Sequence, residues 1–192
     1  MSQAIDTWGC LNNTIKVAAG HYVDLLNPDP ATIDIRSIAA GLSKICRFGG
    51  QCPRFYSVAE HCLQATKLAM KDGCSVEALR AVLLHDAAEA YIGDMVKPLK
   101  VMIPEYHLAE SRMEAAISKA FNVDFEAFGD VIKKYDRAML KAEKTAMWPE
   151  DKEVWAGFSE IEDRRVNLCY YDCGLANWYY IEWAEELGLV AS

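Results

Sequence analysis

Between residues 34 and 187 apolar side chains recur every three to four positions, broken by short capped or turn-rich stretches, which predicts a succession of amphipathic helices. From Asp34, a suitable N-cap, Ile35, Ile38, Ala39, Leu42 and Ile45 fall on one face, and Gly49-Gly50 is placed to end that helix. Ser57-Val58-Ala59-Glu60 has the spacing of a capping box, which assigns Glu60 to the backbone of the cap. The helix it opens carries Val58, Cys62, Ala65 and Ala69 on its core stripe and puts His61 in its first turn. Ser75 caps the next helix, with Leu79, Val82, Leu83 and Asp86 along one side and a halt around Gly93. Pro104 opens a fourth, bearing Leu108, Met113, Ala116, Ile117 and Ala120. A fifth, from about residue 131 to 147, turns Ile132, Tyr135, Met139 and Ala142 inward, together with the acids Asp136 and Glu143, and stops before Pro149. A final helix from about 174 to 187 carries Trp178, Tyr179, Tyr180 and Trp183. Ahead of all of them, residues 16–34, with Gly20 and Asn27-Pro28-Asp29-Pro30, suit a small hairpin or extended arm. The pattern is that of an all-α bundle behind a short N-terminal arm.

With 192 residues, 52% of them hydrophobic, the chain can bury a substantial core and is read as a single domain over residues 1–192. A net charge of −8 argues against a stable nucleic-acid partner or an anionic membrane surface, although a small basic pocket can still hold a phosphate. The seven cysteines include no Cys-x-x-Cys pair, which points to reduced thiols in a cytosol-like compartment; Cys169 and Cys173 lie one turn apart without a matching pair for zinc. No N-terminal signal pattern and no apolar run near the roughly 18 residues of a membrane span are present, so a cytoplasmic protein is expected. The aromatic-rich last helix either closes the core or forms a homo-oligomer interface.

Candidate chemistry changes the picture at His85-Asp86, an imidazole and a carboxylate set inside an apolar helical run. Charge is costly there unless paired or bound to a metal. His61 precedes it and Asp136 follows it, both in helical patterns, so these residues can converge as a metal site. Two imidazoles and two carboxylates leave open coordination positions and suit one divalent transition metal, Mn, Co, Ni, Zn or Fe, better than a closed structural zinc centre. Glu89 lies three and four residues beyond Asp86 and His85, close enough on the helix surface to handle a proton. No P-loop pattern is present, which disfavours a P-loop kinase or ATPase.

The ordered set His61, His85-Asp86, Asp136 resembles the signature of the HD-domain phosphohydrolases. The resemblance extends through Arg47-Phe48, Phe55-Tyr56-Ser57-Val58-Ala59-Glu60-His61, Leu84-His85-Asp86-Ala87-Ala88-Glu89, Gly93-Asp94 and Lys97-Pro98-Leu99-Lys100. It covers about residues 34–147 and is similar to the branch containing bacterial 5′-deoxynucleotidases and the phage enzymes that hydrolyse deoxyadenosine triphosphate. It implies an all-helical core binding one divalent metal through His61, His85, Asp86 and Asp136. Glu89 matches the family's catalytic acid/base, and Asp94 a second acid near the leaving 5′ oxygen or the sugar. Arg47, Phe48, Pro98 and Lys100 match substrate-binding positions, with Mg as a possible additional phosphate-bound ion. Phe48 departs from the pattern, since the nucleotidases carry Trp after the Arg. Bland alternatives remain open: Arg47 as a helix C-terminal partner, Glu89 in a salt bridge, Lys97 and Lys100 as solvated charges.

The expectation is therefore metal-dependent hydrolysis of 2′-deoxynucleotides at the phosphorus on the 5′ oxygen, with dAMP- or dATP-type substrates favoured, in a bacterial or phage-infected host cytosol. The rivals are another HD-type activity, such as a cyclic-nucleotide phosphodiesterase, and a non-catalytic nucleotide-binding regulator with a structural metal.

Overall fold

The computed structural model describes residues 13–190. The expectation of no signal pattern falls on residues 1–12, outside the described part. The arm is a hairpin: β1 (Thr14–Lys16) runs antiparallel to β2 (Tyr22–Asp24), with Ile15 opposite Val23. Val23 is fully buried and pins the hairpin to the body.

Helix α1 (Ile35–Leu42) starts as expected, the Asp34 carboxylate accepting from the Ser37 N–H at 2.8 Å. It ends at Leu42 and not near Gly49-Gly50. Ser43 Oγ and Lys44 Nζ both fold back to donate to the Ala40 carbonyl. The chain then turns extended, Cys46 bridging antiparallel to Ser57. Gly49-Gly50 instead belongs to a tight turn with left-handed backbone at Phe48 (φ 57°), Gly49 (φ 60°) and Gly50 (φ 76°).

Helix α2 (Val58–Lys71) is the central element, packed against α3 (Val76–Leu84), α7 (Gly129–Met147) and α8 (Cys173–Glu186). Its predicted stripe Val58, Cys62, Ala65 and Ala69 is wholly buried. The helix capped by Ser75 stops at Leu84 instead of running on to Gly93. The next bonds, Ala87 N–H to the Leu84 carbonyl and Glu89 N–H to the Asp86 carbonyl, span three residues and tighten the chain into turns. The short α4 (Glu89–Ile92) then ends at Gly93, whose φ of 82° favours glycine. Helix α1 lies so close to α4 that a Cβ at Gly41 would sit 2.8 Å from the Ala90 carbonyl oxygen. That contact holds the Glu89 segment against the core.

A one-turn α5 (Lys97–Lys100), unforeseen in the pattern, leads into α6 (Pro104–Phe121). Met113, Ala116 and Ile117 of α6 are buried as expected, but Leu108 is exposed; the inward residue of its first turn is Tyr106, whose hydroxyl donates to the Gly93 carbonyl at 2.6 Å. In α8 Tyr180 is buried and donates to the Leu83 carbonyl, whereas Trp178 is 54% exposed. Among the described residues no helix is long and apolar enough to cross a membrane.

Glu60 corrects the capping-box reading. Ser57 Oγ does accept from the Glu60 N–H at 3.1 Å, but the Glu60 carboxylate points the other way and accepts from the backbone N–H groups of Cys169, Tyr170 and Tyr171 at 2.6–3.0 Å. The side chain is fully buried, so these bonds replace its hydration and fasten the approach to α8 onto α2. Glu60→Ala strands three donors and is expected to lower stability by about 3 kcal/mol or more, read from urea unfolding. A change below about 1 kcal/mol would show that the segment is held by other contacts.

Candidate metal centre

Three segments bring the centre together: the first turn of α2 supplies His61, the turn directly after α3 supplies His85 and Asp86, and α7 supplies Asp136 and, seven residues on and therefore on the same face, Glu143. The ligand atoms of His61, His85 and Asp86 all lie within 4.8 Å of one another. Asp136 Oδ1 joins them at 3.3 Å from His61 Nε2 and 4.0 Å from His85 Nε2. Asp86 Oδ2 is 3.2 Å from His85 Nε2 and 3.7 Å from His61 Nε2.

The hydrogen bonds assign the imidazole tautomers. His85 Nδ1 is 2.8 Å from the Val82 carbonyl oxygen, which can only accept, so Nδ1 carries the proton. His61 Nδ1 donates to Glu143 Oε1 at 2.6 Å, with both side chains fully buried. Each ring therefore turns its Nε2 toward the other, 3.3 Å away. Two neutral rings in these tautomers would oppose two lone pairs, an arrangement that a metal ion or a proton on one ring relieves. Burial, the largest influence on either ring, disfavours the charged form, yet nearby carboxylates outweigh it and raise both: Glu143 and Asp136 for His61, Asp86 for His85. Burial opposes ionisation of Asp86, Asp136 and Glu143 as well, but the cationic neighbours hold all three below the ordinary carboxylate range. The ligand atoms of His61, His85 and Asp86 form a group that could hold a divalent metal ion, with the Asp136 carboxylate beside the two imidazoles.

Arg47 sits behind this cluster, its guanidinium 3.2 Å from Glu143 Oε2 and 3.6 Å from Asp86 Oδ2. It is reached through an extended backbone in which the Arg47 N–H donates to the Tyr56 carbonyl. Burial works against its charge, but Glu143 and Asp86 prevail and its pKa is raised. Glu89, 7% exposed, has one carboxyl oxygen with no protein partner, and burial, then Asp86 and Asp94, push it up to about 9. Asp94 is also raised, by burial against the opposing pull of Arg47. Lys100 is close enough to feel Glu89 and Asp86, but its ammonium is paired with Glu110 and lies over the Tyr106 ring. Pro98 and Lys97 are exposed on α5.

Phe48 packs edge-on to Trp148, with ring centroids 5.2 Å apart, and lies 6.3 Å from Trp155, with the Arg47 guanidinium 5.5 Å from its own ring centre. An aromatic cluster thus borders Arg47. Two open clefts lie elsewhere, one along α7 lined by Lys133, Arg137 and Arg164, the other by Arg80, Lys119 and Phe128, and neither is lined by any of these ligands.

Comparison with known proteins places the chain among relatives without an assigned role. It is 35% identical over 143 residues to the uncharacterized protein YfdR of Escherichia coli K12, covering 73% of this chain and 76% of that one. It is likewise 35% identical over 156 residues to the uncharacterized protein RCAP_rcc00048 of Rhodobacter capsulatus, covering 79% of this chain and 77% of the relative. The chain belongs to the YfdR family. No protein-family model matches it.

In this member of the YfdR family the residues singled out from sequence as metal ligands meet in space, and Arg47, Glu89 and Asp94 border them. Pro98 and Lys100 stand apart in character, one exposed and the other already paired. The pattern did not assign Glu143 its role, although a buried acid two turns from Asp136 on one helix face already demands a cationic or donor partner. Trp148 and Trp155 gave no such signal, because they lie at and beyond the end of α7 in a stretch without periodicity.

Proposed function

We propose that this protein is a metal-dependent phosphohydrolase of the HD type that removes the 5′ phosphate from a 2′-deoxynucleoside monophosphate. The observation that carries the reading is the pair of Nε2 atoms facing each other at 3.3 Å with both Nδ1 protons committed elsewhere. The donor set fits one divalent transition metal held by His61, His85, Asp86 and Asp136. Such an ion supplies Lewis acidity toward a phosphate oxygen and lowers the pKa of water bound to it.

The chain's own residues account for the remaining work. In the metal-free chain Glu89 is pushed well above the ordinary carboxylate range by burial, then by Asp86 and Asp94, and it has a free buried oxygen, so it is suited to protonate the departing 5′ oxygen of the nucleoside. Asp94, raised beside it, assists at the same side. Arg47 stays charged and is held rigid by Glu143, positioned to stabilise charge developing on the phosphoryl oxygens. The ring of Phe48, packed on Trp148, offers an apolar surface against which C2′ packs without a partner for an added hydroxyl. Lys100 is already neutralised by Glu110 and Lys97 is exposed, so little free cationic charge remains for a longer phosphate chain, which favours a monophosphate. A regulator with a structural metal would have no use for a buried, raised carboxyl at Glu89.

The test is a screen of metal-loaded protein against dAMP, AMP, dATP and ATP, following orthophosphate and tripolyphosphate separately. Orthophosphate from dAMP, at a rate at least about tenfold above AMP, is the expected result, tenfold corresponding to roughly 1.4 kcal/mol of differential transition-state stabilisation. Equal rates on the ribonucleotide would remove the sugar claim, and tripolyphosphate as the main product would replace monophosphate by triphosphate.

A further inference from the structure

Cys46 and Cys52 bracket the turn that carries Arg47 and Phe48, and their Sγ atoms lie 3.5 Å apart. Among the described cysteines this is the thiol pair in mutual contact; Cys62 is buried in the core and Cys74 is bonded to the Tyr135 hydroxyl. We propose that Cys46 and Cys52 form a reversible intramolecular disulfide, a redox site that fastens the Arg47-Phe48 turn.

The backbone has already done the work of bringing the thiols together. Cys46 is fixed by its bridge to Ser57, with Arg47 N–H bonded to the Tyr56 carbonyl and Val58 N–H to the Ile45 carbonyl. The turn then reverses through the left-handed residues Phe48, Gly49 and Gly50, with Gly50 N–H bonded to the Arg47 carbonyl and Gln51 N–H to that of Phe48. Phe48 is a costly residue in that region, so the turn is held by its surroundings rather than by local preference. Closing from thiol contact to a disulfide requires about 1.5 Å of approach, within reach of side-chain rotation. Both cysteines are partly exposed, which admits a small reagent.

The oxidant is a low-molecular-weight disulfide. Cys46, as thiolate, attacks one of its sulfurs, forming a mixed disulfide and releasing one small thiol. Cys52 then loses its proton and attacks Cys46 Sγ, breaking the mixed disulfide and releasing the second small thiol. Two protein thiols are oxidised and one small disulfide is reduced, a two-electron exchange. Burial, then the neighbouring Cys46 thiol, pushes Cys52 up to about 11, which slows its attack, but the 3.5 Å separation of the two sulfurs makes the second step intramolecular and offsets the small thiolate fraction. This site stands whether or not the hydrolase reading does.

The experiment equilibrates the full-length protein in oxidised glutathione, blocks remaining thiols by alkylation, and maps tryptic peptides by mass. Trypsin cuts after Arg47, so peptides 45–47 and 48–54 travel together only if the disulfide joins them. The expected result is that linked pair, abolished by reductant, with two of the seven thiols lost and no glutathione retained. In C52S, glutathione should remain on Cys46. Full alkylation of both residues in oxidised wild type, a stable glutathione adduct on its Cys46, or a bridge from either residue to another cysteine or another chain would each overturn the proposal.

Discussion

Replacing Asp86 by Ala is expected to abolish turnover, by at least about a thousandfold, and to empty the metal centre, because one carboxylate serves several partners at once. Asp86 Oδ2 is 3.2 Å from His85 Nε2, 3.7 Å from His61 Nε2 and 3.6 Å from Arg47. Removing it deletes a ligand and leaves the guanidinium with Glu143 alone beside the two imidazoles. Metal content by elemental analysis and the rise in melting temperature on adding metal should both fall, since an ion that binds only the folded state stabilises it by mass action. Asp86→Asn keeps the volume and removes the charge, so the loss of metal should recur there even where the Ala variant is poorly folded. Full occupancy with unchanged turnover in either variant refutes a metal centre at this position.

Glu89→Gln separates proton handling from metal binding. Turnover should drop about a hundredfold while metal content is retained, the scale expected for loss of a general acid. Stability provides a second readout with a definite sign. In the folded, metal-free chain burial and the Asp86 and Asp94 charges raise Glu89 from 4.5 to about 9. Between those values the unfolded chain releases a proton that the folded chain keeps, so folding is increasingly penalised as pH rises through that window. Gln carries no such penalty. The variant should melt like wild type near about pH 4 and above it near about pH 8, a divergence that thermal melts at the two pH values will show. A variant as active as wild type returns Glu89 to a packing role.

What the sequence made legible follows a physical division. Periodicity and caps located helices that carry candidate ligands, because Asp34, Ser57 and Ser75 each accept from the backbone N–H three residues on. That His61, His85, Asp86 and Asp136 would lie near one another was legible because acids and imidazoles in apolar helical surroundings have few stable explanations. Helix ends were less so. The end of α1 at Leu42 depends on Lys44 and Ser43 reaching back to one carbonyl, and the break after Leu84 on three-residue hydrogen bonds, neither of which leaves a Gly or Pro to mark it. Long-range assignments were illegible for a related reason. Glu60 bonds to residues 169–171 and Lys100 to Glu110, and no spacing rule connects Glu60 with a segment more than a hundred positions away.

The opposed imidazole nitrogens couple occupancy of the candidate centre to pH. His61 Nε2 and His85 Nε2 lie 3.3 Å apart with both Nδ1 atoms bonded elsewhere, and the nearby carboxylates raise both imidazoles, so each ring favours holding a proton. Loading the proposed centre would then exchange a metal ion for a proton rather than simply add one. Acid would then oppose metal binding by keeping the imidazoles protonated and alkali would favour it, so the proposed centre should fill more readily as pH rises.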